Sequence, residues 1–199
     1  MFTGIIRSLG SVSKIDQRAT NAALTIATVM AKDLAEGDSL AINGVCLTVL
    51  AISGTTINFH VMQETLAKTN LGLLNQGTEV NLERPLQAGQ AIDGHFVMGH
   101  IDEVAQVTSI TQAGADSVFT FKPPDHLLPY LIPKGSVALD GVSLTIVDIV
   151  DDSFRVSMFP YTLEHTTFGK AKVGYKANIE VDMLGKYVER MLNRNRAVR

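Results

Sequence analysis

Asn43-Gly44-Val45-Cys46-Leu47-Thr48-Val49 decides the fold, because the pattern returns as Asp140-Gly141-Val142-Ser143-Leu144-Thr145-Ile146. The offset between the two copies is 97 residues, as from Thr48 to Thr145. In each copy a polar residue followed by Gly is typical of a tight turn, and the alternating residues after it are typical of a strand. A turn and strand that return at a distance comparable to the size of a small domain indicate an internal repeat.

The same offset holds over most of the chain. Residues 57–61 match 154–158, residues 64–72 match 161–169, and residues 81–83 match 178–180. Near the start the offset slips to 95, since Gly4-Ile5-Ile6 matches Gly99-His100-Ile101. A change in the length of a surface loop leaves a slip of this kind. We therefore interpret the 199 residues as two copies of one small β-domain, 1–86 and 87–182, followed by a segment of residues 183–199.

Composition narrows the possible partners and the compartment. The net charge of −3 comes from mixed signs without long runs, which argues against a nucleic-acid or anionic-membrane surface. One cysteine excludes an intrachain disulfide framework and fits a reducing compartment. The first residues lack the pattern of a signal peptide, and no apolar run reaches membrane-spanning length. We expect a soluble, cytoplasmic protein that binds neither nucleic acid nor membrane.

Each copy carries six short strand patterns separated by turn residues. They are 4–15, 23–29, 39–42, 46–52, 56–61 and 79–83 in the first copy, and 99–110, 117–122, 136–139, 143–148, 153–158 and 175–181 in the second. The first copy also predicts short helices at 30–36 and at 65–73, and Thr65 is a possible N-cap of the second of these. In the second copy a Pro-rich segment, 123–130, replaces the first helix. The pattern favours an all-β fold of two similar six-stranded sandwiches or barrels, since closure removes exposed strand edges.

After Asp182 the period changes to that of a helix. Apolar residues recur three to four positions apart, at Leu184, Tyr187, Val188, Met191 and Leu192, and a solvated tail is expected from 193. A helix of this length is too short to be stable alone, so its apolar face needs a partner. The pattern is equally consistent with packing on the protein's own barrels and with oligomerisation.

Generic motifs for metal or nucleotide binding are absent from the sequence. His95 and His100 are the only closely spaced histidines, and a separation of five does not place two side chains on one face of a strand. With a single cysteine, a zinc site is not expected. The chain has no P-loop, no dinucleotide-binding glycine motif and no nucleophile-elbow motif in a suitable context.

Small polar residues recur at equivalent positions of the two copies. Cys46 and Thr48 share one face of a strand, and Ser143 and Thr145 repeat that face. For a single residue the solvent face of a half-buried sheet is the simpler interpretation. Because cysteine is usually buried, the repetition of a Cys/Thr face as a Ser/Thr face indicates two hydrogen-bonding pockets.

These residues resemble the riboflavin synthases of the α-chain type, a family of lumazine-binding double barrels. The resemblance runs in order from residue 1 to about residue 192 and includes the internal duplication. It is carried by Met1-Phe2-Thr3-Gly4-Ile5-Ile6, 43–49, Glu64-Thr65-Leu66, 94–101 and 141–145. It implies two six-stranded Greek-key barrels, a short C-terminal α-helix and a homotrimer held partly by those helices. The interpretation of the helix therefore shifts towards oligomerisation.

The activity implied by the resemblance is a transferase reaction between two molecules of 6,7-dimethyl-8-ribityllumazine. One molecule gives a four-carbon unit to the other, which yields riboflavin and 5-amino-6-ribitylamino-uracil. Two similar pockets suit a reaction between identical molecules, because they can present the rings face to face. The family's site lies between the N-terminal barrel of one subunit and the C-terminal barrel of a neighbour. No metal or redox cofactor is implied, since the donor's 7-methyl anion is delocalised into its own rings.

The resemblance also assigns site residues. The first pocket would comprise Gly4, Ile5, Ile6, Cys46, Leu47, Thr48, His60, Val61, Met62, Gln63, Glu64 and Thr65. The second would comprise Gly99, His100, Ile101, Lys134, Ser143, Leu144, Thr145, Ser157, Met158, Phe159, Pro160, Tyr161 and Thr162. Ser39, Cys46, Thr48 and His100 match positions that the family links to catalysis. His100 is expected to transfer a proton, whereas Cys46 or Ser39 either supplies or orients a nucleophile or only packs.

The two copies differ where unequal chemistry would require it. Cys46 stands against Ser143, Glu64 against Tyr161, His60 against Ser157, and Ile5 against His100. We expect these differences to separate a donor pocket from an acceptor pocket, and the sequence leaves open which is which. Two alternatives remain: a non-catalytic lumazine- or flavin-binding protein of the same fold, and a tandem barrel that binds flavin or an oligonucleotide. The acidic charge balance weighs against the oligonucleotide.

Overall fold

The structure is a computed structural model that describes residues 1–17 and 21–196, with the side chains of residues 1–16 and 21–192. Over these residues twelve strands form two closed six-stranded antiparallel barrels, and a C-terminal helix follows. The duplication and the all-β architecture predicted from the repeated pattern are confirmed. Residues 197–199 of the predicted tail lie outside the described part of the chain.

The first barrel contains strands β1 to β6. Their bounds are β1 Ser8–Gln17, β2 Asn21–Ala27, β3 Ser39–Ile42, β4 Val45–Ser53, β5 Thr56–Met62 and β6 Glu79–Glu83. They close in the order β1-β2-β5-β4-β3-β6, so the chain crosses between β2 and β3. A 3₁₀ helix Val29–Asp33, helix α1 Gln63–Lys68 and a second 3₁₀ helix Asn70–Leu73 lie in the connections.

The second barrel repeats this order with strands β7 to β12. Their bounds are β7 Glu103–Ala113, β8 Asp116–Lys122, β9 Ser136–Leu139, β10 Val142–Val150, β11 Ser153–Met158 and β12 Lys176–Val181. The connections hold a 3₁₀ helix Asp125–Tyr130, helix α2 Pro160–His165 and a 3₁₀ helix Thr167–Lys170. Helix α3, Met183–Arg196, completes the described chain, in which no helix is long and apolar enough to cross a membrane.

Each barrel has a core of its own, filled by alternate residues of its strands. In β4 the side chains of Leu47 and Val49 point into the first core, whereas those of Cys46 and Thr48 point outward. In the second barrel Leu144 repeats the inward position of Leu47. A fully buried Leu or Val side chain contributes about 1.5–3 kcal/mol, so the inward residues fix the register, and the outward residues are free for function.

The two repeated turns meet at the junction between the barrels. Asn43-Gly44, the first glycine turn, has φ of 46° and 78°, and Asp140-Gly141, the second glycine turn, has φ of 45° and 77°. A side chain on Gly44 would bring its Cβ to 2.6 Å from the Gly141 nitrogen. Glycine is therefore required in both turns by the positive φ and by the close approach of two backbones.

Two asparagines at equivalent positions, Asn81 and Asn178, tie the barrels together. The Asn178 Oδ1 accepts a hydrogen bond from the Asn70 N–H (2.6 Å), and its Nδ2 donates to a carbonyl oxygen of the first glycine turn (2.8 Å). Asn81 makes the reciprocal bonds: its Oδ1 accepts from the Thr167 N–H (2.8 Å), and its Nδ2 donates to a carbonyl oxygen of the second glycine turn (3.0 Å). The junction thus has approximate twofold symmetry, and the two asparagine amides pair with backbone groups across it.

Asp140 breaks this symmetry, because its counterpart in the first copy is Asn43. Its carboxylate is fully buried and accepts hydrogen bonds from Asn70 Nδ2 (2.7 Å), the Asn178 N–H (2.8 Å) and the Tyr175 hydroxyl (2.7 Å). Burial raises the pKa of Asp140 to about 7, and the three hydrogen bonds oppose this rise. An acid therefore sits at the junction where the other copy has a neutral amide.

Some local predictions were wrong. Thr65 lies inside α1 rather than at its N-cap, which is Met62, and it is Thr69 that caps the following 3₁₀ helix by accepting from the Leu71 N–H. The Pro-rich segment 123–130 forms a 3₁₀ helix instead of replacing one. Helix α3 extends to Arg196, through the residues expected to form a solvated tail.

The predicted first strand of each copy starts too early. Residues 2–6, the first leading segment, and residues 97–101, the second leading segment, lie outside the barrels' strands. Phe2 and Val97 form an isolated antiparallel bridge to each other. The rest of each segment has no strand partner, because its N–H groups bond to a glutamate carboxylate instead of a ladder, as described below.

Candidate functional site

The first pocket lies on the outer surface of the first barrel, where β4, β5 and α1 meet. Its cavity has a volume of about 350 Å³ and is lined by Cys46, Leu47, Thr48, Val49, Leu50, His60, Met62 and Thr65. Most of the residues predicted for this pocket from β4 and β5 are therefore brought together. The cavity is of the size of small-ligand sites.

Strand alternation decides which side chains can face a ligand. His60 and Met62 of β5 point outward beside Cys46 and Thr48, whereas Val61 points into the first core. Four residues predicted for the two sites, namely Leu47, Val61, Leu144 and Met158, have their side chains in the barrel cores. At those four positions only backbone groups are available to a ligand.

Ser39 lies beside the first pocket, because it pairs with a residue that lines it. It lies directly opposite Thr48 in the β3–β4 register, as Ser136 lies opposite Thr145 in the β9–β10 register. Directly paired residues project from the same face of a sheet with their Cβ atoms roughly 4.5–5.5 Å apart. The two hydroxyls of each pair are therefore neighbours on the outer surface of the barrel.

The second pocket predicted from the sequence corresponds to the equivalent outer surface of the second barrel, at β10, β11 and α2. Ser143 and Thr145 point outward from β10, and the exposed Phe159 takes the place of Met62. Tyr161 stacks on His165, with ring centroids 4.0 Å apart and planes at 18°. The rim of the second pocket is therefore aromatic where the first copy carries Glu64 and Lys68.

Lys134 occupies a turn position with φ of 67°, where the first copy has Gly37 with φ of 89°. Its N–H donates to the Ile146 carbonyl (2.8 Å), which attaches the turn to β10, and its side chain is exposed. The hydrogen bond that Arg155 donates to Asp148 is the main cause that lowers the pKa of this carboxyl group, and the charge of Lys134 lowers it further. The structure thus places a cation beside β10 with no counterpart in the first copy.

His95 belongs to the second pocket and was missed by the sequence interpretation. The Nδ1 of its ring lies 2.7 Å from the Ser143 Oγ. Its backbone N–H donates to the Thr3 carbonyl (3.1 Å). Burial lowers the pKa of His95, and the charge of Asp182 partly opposes this. A neutral imidazole can either donate to a serine hydroxyl or accept from it. The sequence interpretation compared the spacing of His95 and His100 with the period of a strand, but residues 95–100 do not form a strand.

The first leading segment reaches the second pocket, not the first as predicted. The Ser143 N–H donates to the Gly4 carbonyl oxygen (2.7 Å), and Ile6 packs against the core of the second barrel. A Cβ on Gly4 would lie 2.6 Å from the Ser143 Cβ, so only glycine fits. The assignment of Gly4, Ile5 and Ile6 to the first pocket was therefore wrong.

The second leading segment makes the reciprocal contacts with the first pocket. The Cys46 N–H donates to the Gly99 carbonyl oxygen (2.9 Å), and Ile101 packs against the core of the first barrel. A Cβ on Gly99 would lie 2.6 Å from the Cys46 Cβ. His100, between these two anchored residues, is therefore placed at the first pocket, and its assignment to the second pocket was wrong.

Two buried glutamates anchor the crossing segments to the last strand of their own barrels, β6 and β12. The Glu83 carboxylate accepts from the Thr3 N–H (2.8 Å), the Thr3 hydroxyl (2.8 Å) and the Gly4 N–H (3.0 Å). Glu180 lies 97 residues later and accepts from three consecutive backbone groups of the second leading segment. Burial raises the pKa of both glutamates, to about 7 for Glu180, and the backbone hydrogen bonds oppose the rise.

The crossing gives the two pockets different chemical groups. The first combines the Cys46 thiol and the Thr48 hydroxyl with the His60 imidazole, and the second leading segment brings the backbone of His100 beside it. The second combines serine and threonine hydroxyls with the half-buried His95, and Ile5 stands in the place of His100. Among the described residues no group of three His, Cys, Asp or Glu side chains could hold a metal ion. Each pocket can therefore bind a polar ring and move protons through an imidazole.

Both halves of the chain match the model of the lumazine binding domain, over residues 3–85 and 98–182. The chain belongs to the lumazine-binding family. Among family members, it is 44% identical to the riboflavin synthase of Actinobacillus pleuropneumoniae over 96% of this chain and 90% of that protein. It is 40% identical to the riboflavin synthase of Bacillus subtilis, over 98% of this chain and 91% of that protein.

Solved structures of LumP have the same fold. LumP complexed with riboflavin superimposes with a TM-score of 0.84 at 28% identity, over 92% of this chain and 100% of that one. LumP complexed with 6,7-dimethyl-8-(1'-D-ribityl) lumazine gives a TM-score of 0.83 at 26% identity, over 92% and 99%. The double barrel of this chain is thus shared over nearly its whole length.

Proposed function

We propose that this protein is a riboflavin synthase that acts as a transferase on two molecules of 6,7-dimethyl-8-ribityllumazine in the cytoplasm. One molecule gives up a four-carbon unit and leaves as 5-amino-6-ribitylamino-uracil, and the other gains that unit and becomes riboflavin. The observation that carries the proposal is the pair of similar but unequal pockets, in a chain that matches riboflavin synthases over nearly its full length. A reaction between two identical molecules needs two sites that bind the same ring.

Positioning supplies the main contribution to the rate. Two rings held face to face react as if within one molecule, which can remove roughly 7–11 kcal/mol of the barrier. The outward hydroxyl and thiol groups of β4 and β10, together with main-chain donors and acceptors of the same strands, bind the polar edge of each ring. The methyl protons that must be removed from the donor are acidic because the resulting anion is delocalised into the ring system.

The groups that differ between the pockets divide the chemistry. His100 transfers a proton at the first pocket, because an imidazole changes charge near neutral pH. Ser39 and Cys46, on the neighbouring strands β3 and β4, supply or orient the nucleophile that adds to the acceptor ring. At the second pocket His95 and Ser143 form a hydrogen-bonded pair that orients the bound ring.

Rings can meet face to face only if two pockets approach each other, and both pockets lie on outer surfaces of their barrels. The exposed apolar face of α3 supports assembly into a homotrimer, in which the first pocket of one subunit meets the second pocket of a neighbour. That face includes Leu184, Val188 and Leu192, which border a groove of about 510 Å³ against the second barrel.

Turnover separates this function from the alternative. The similarity to LumP favours, as a second candidate, a protein that binds lumazine or flavin without converting it. Purified protein incubated with 6,7-dimethyl-8-ribityllumazine is expected to produce riboflavin, followed by its absorbance and fluorescence. Tight binding of the lumazine without formation of riboflavin would support the binding protein instead.

A further inference from the structure

We propose that Glu180 is a positioning residue that sets the place of His100 in the first pocket, an inference that rests on the proposed function. Glu180 lies on β12 of the second barrel, whereas the pocket that His100 reaches belongs to the first. The side chain of Glu180 is 3% exposed, so it does not contact a ligand in the pocket itself.

Three consecutive N–H groups point at one carboxylate. Glu180 Oε1 accepts from Met98 (2.6 Å), and Oε2 accepts from Gly99 (2.9 Å) and His100 (3.1 Å). Hydrogen bonds to a charged acceptor are roughly twice as strong as neutral ones, and a concave run of N–H groups closes around an anion. The carboxylate therefore fixes the backbone of His100 directly and not through an intermediate side chain.

The first barrel holds the same segment from its other side. The Gly99 carbonyl accepts from the Cys46 N–H (2.9 Å), and Ile101 packs into the first core. The His100 side chain is exposed, so its location depends on the backbone held between these contacts. Loss of the Glu180 carboxylate releases one side of the segment while Cys46 and Ile101 still hold the other.

Charged groups near Glu180 link it to the C-terminal helix. Burial is the main cause that raises the pKa of Glu180; of the nearby charges, Lys186 of α3 lowers this pKa and Asp102 raises it. Lys186 Nζ lies 2.6 Å from Asp102 Oδ1, and Asp102 Oδ2 accepts from the Val181 N–H (3.0 Å). The cation of α3 thereby favours the charged form of Glu180 that accepts all three hydrogen bonds.

Glu83 provides a matched control within the same chain. Its carboxylate holds the first leading segment through the N–H groups of Thr3 and Gly4, but that segment carries Ile5 where the other carries His100. Replacing either glutamate by glutamine removes the same kind of anchor. Only the replacement at Glu180 acts on a segment that bears an imidazole.

A double-mutant cycle tests the proposal. Riboflavin formation is measured for Glu180→Gln, His100→Ala and the double variant, and for Glu83→Gln with and without His100→Ala. We expect Glu180→Gln to lower kcat by about tenfold in the wild-type background and by less than about twofold when His100 is absent, because residues in one network couple. Glu83→Gln is expected to lower kcat by the same factor in both backgrounds.

An equal loss of kcat from Glu180→Gln in both backgrounds would overturn the proposal. If Glu180→Gln fails to fold by near-ultraviolet circular dichroism, Glu180→Asp replaces it in the cycle, since it keeps the charge and withdraws it by one methylene. Failure of the wild-type protein to form riboflavin would refute the proposed function alone. In that case NMR spectra test the positioning of His100 without turnover. The proposal requires that the ring proton signals of His100 shift in Glu180→Gln and stay unchanged in Glu83→Gln.

Discussion

Asp140→Asn is expected to remove a pH-dependent loss of stability at the junction between the barrels. The carboxylate is fully buried, and its pKa is raised from 3.8 to about 7. The nearly isosteric amide occurs naturally at Asn43, the equivalent position of the first copy, so the fold accepts it. The substitution therefore exchanges a titratable group for a neutral one within the same set of neighbours.

The sign of the effect follows from the raised pKa. The stability contributed by Asp140 is fully present below pH 3.8 and is lost as the pH rises through about 7, because the folded state must then bury a charge. A difference of about three pKa units corresponds to about 4 kcal/mol, which is an upper limit because the surroundings relax. We compare the free energy of unfolding of the variant with that of the wild type at each pH. This difference should favour the variant more at about pH 8 than at about pH 4, by up to that amount.

Urea unfolding at fixed protein concentration measures this, with wild type and variant compared at each pH. The difference between the two free energies of unfolding isolates Asp140 from Glu83 and Glu180, which also have raised pKa values. A matched control, Asn43→Asp, adds an acid to the first glycine turn and should lose stability as the pH rises. A difference between wild type and Asp140→Asn that stays constant from pH 4 to 8 would refute the reasoning.

Three further outcomes are expected. His100→Ala should lower kcat more than it weakens lumazine binding, measured by steady-state kinetics and fluorescence titration, and an equal loss of both would reduce His100 to a binding role. Gly99→Ala should lower the urea midpoint by more than Gly54→Ala. Both glycines have positive φ, but of the two only Gly99 would bring its new Cβ against a neighbour, the Cys46 Cβ at 2.6 Å. Equal shifts of the midpoint would contradict this close approach. Removal of residues 184–199 should shift the oligomer to smaller species in sedimentation experiments and lower activity with it, whereas a fully active monomer would exclude a site shared between subunits.

The repeat was sufficient to predict the fold, because a period of two in β4 and β10 places Leu47 and Leu144 in the cores and Cys46 and Ser143 outside. The same alternation correctly placed Thr48 beside Cys46 in the first pocket. These predictions depend on short-range patterns, in which the identity of each residue limits the conformation of its neighbours.

The crossing of the leading segments could not be read from such patterns. An internal repeat gives the same sequence signal whether a segment stays on its own barrel or moves to the other one. The choice depends on hydrogen bonds between the two copies, from the Ser143 N–H to the Gly4 carbonyl and from the Cys46 N–H to the Gly99 carbonyl. The slip of the offset from 97 to 95 was the one sign that these segments differ from the rest.

The reciprocal exchange of segments 2–6 and 97–101 has the form of a dimer interface contained in one chain. In a dimer of identical single barrels, every substitution appears twice, so an imidazole introduced beside one thiol is also introduced beside the other. Fusion of the two halves removes that constraint. One half can then place His100 where the other keeps Ile5, and unlike roles become possible for two binding sites that began as copies.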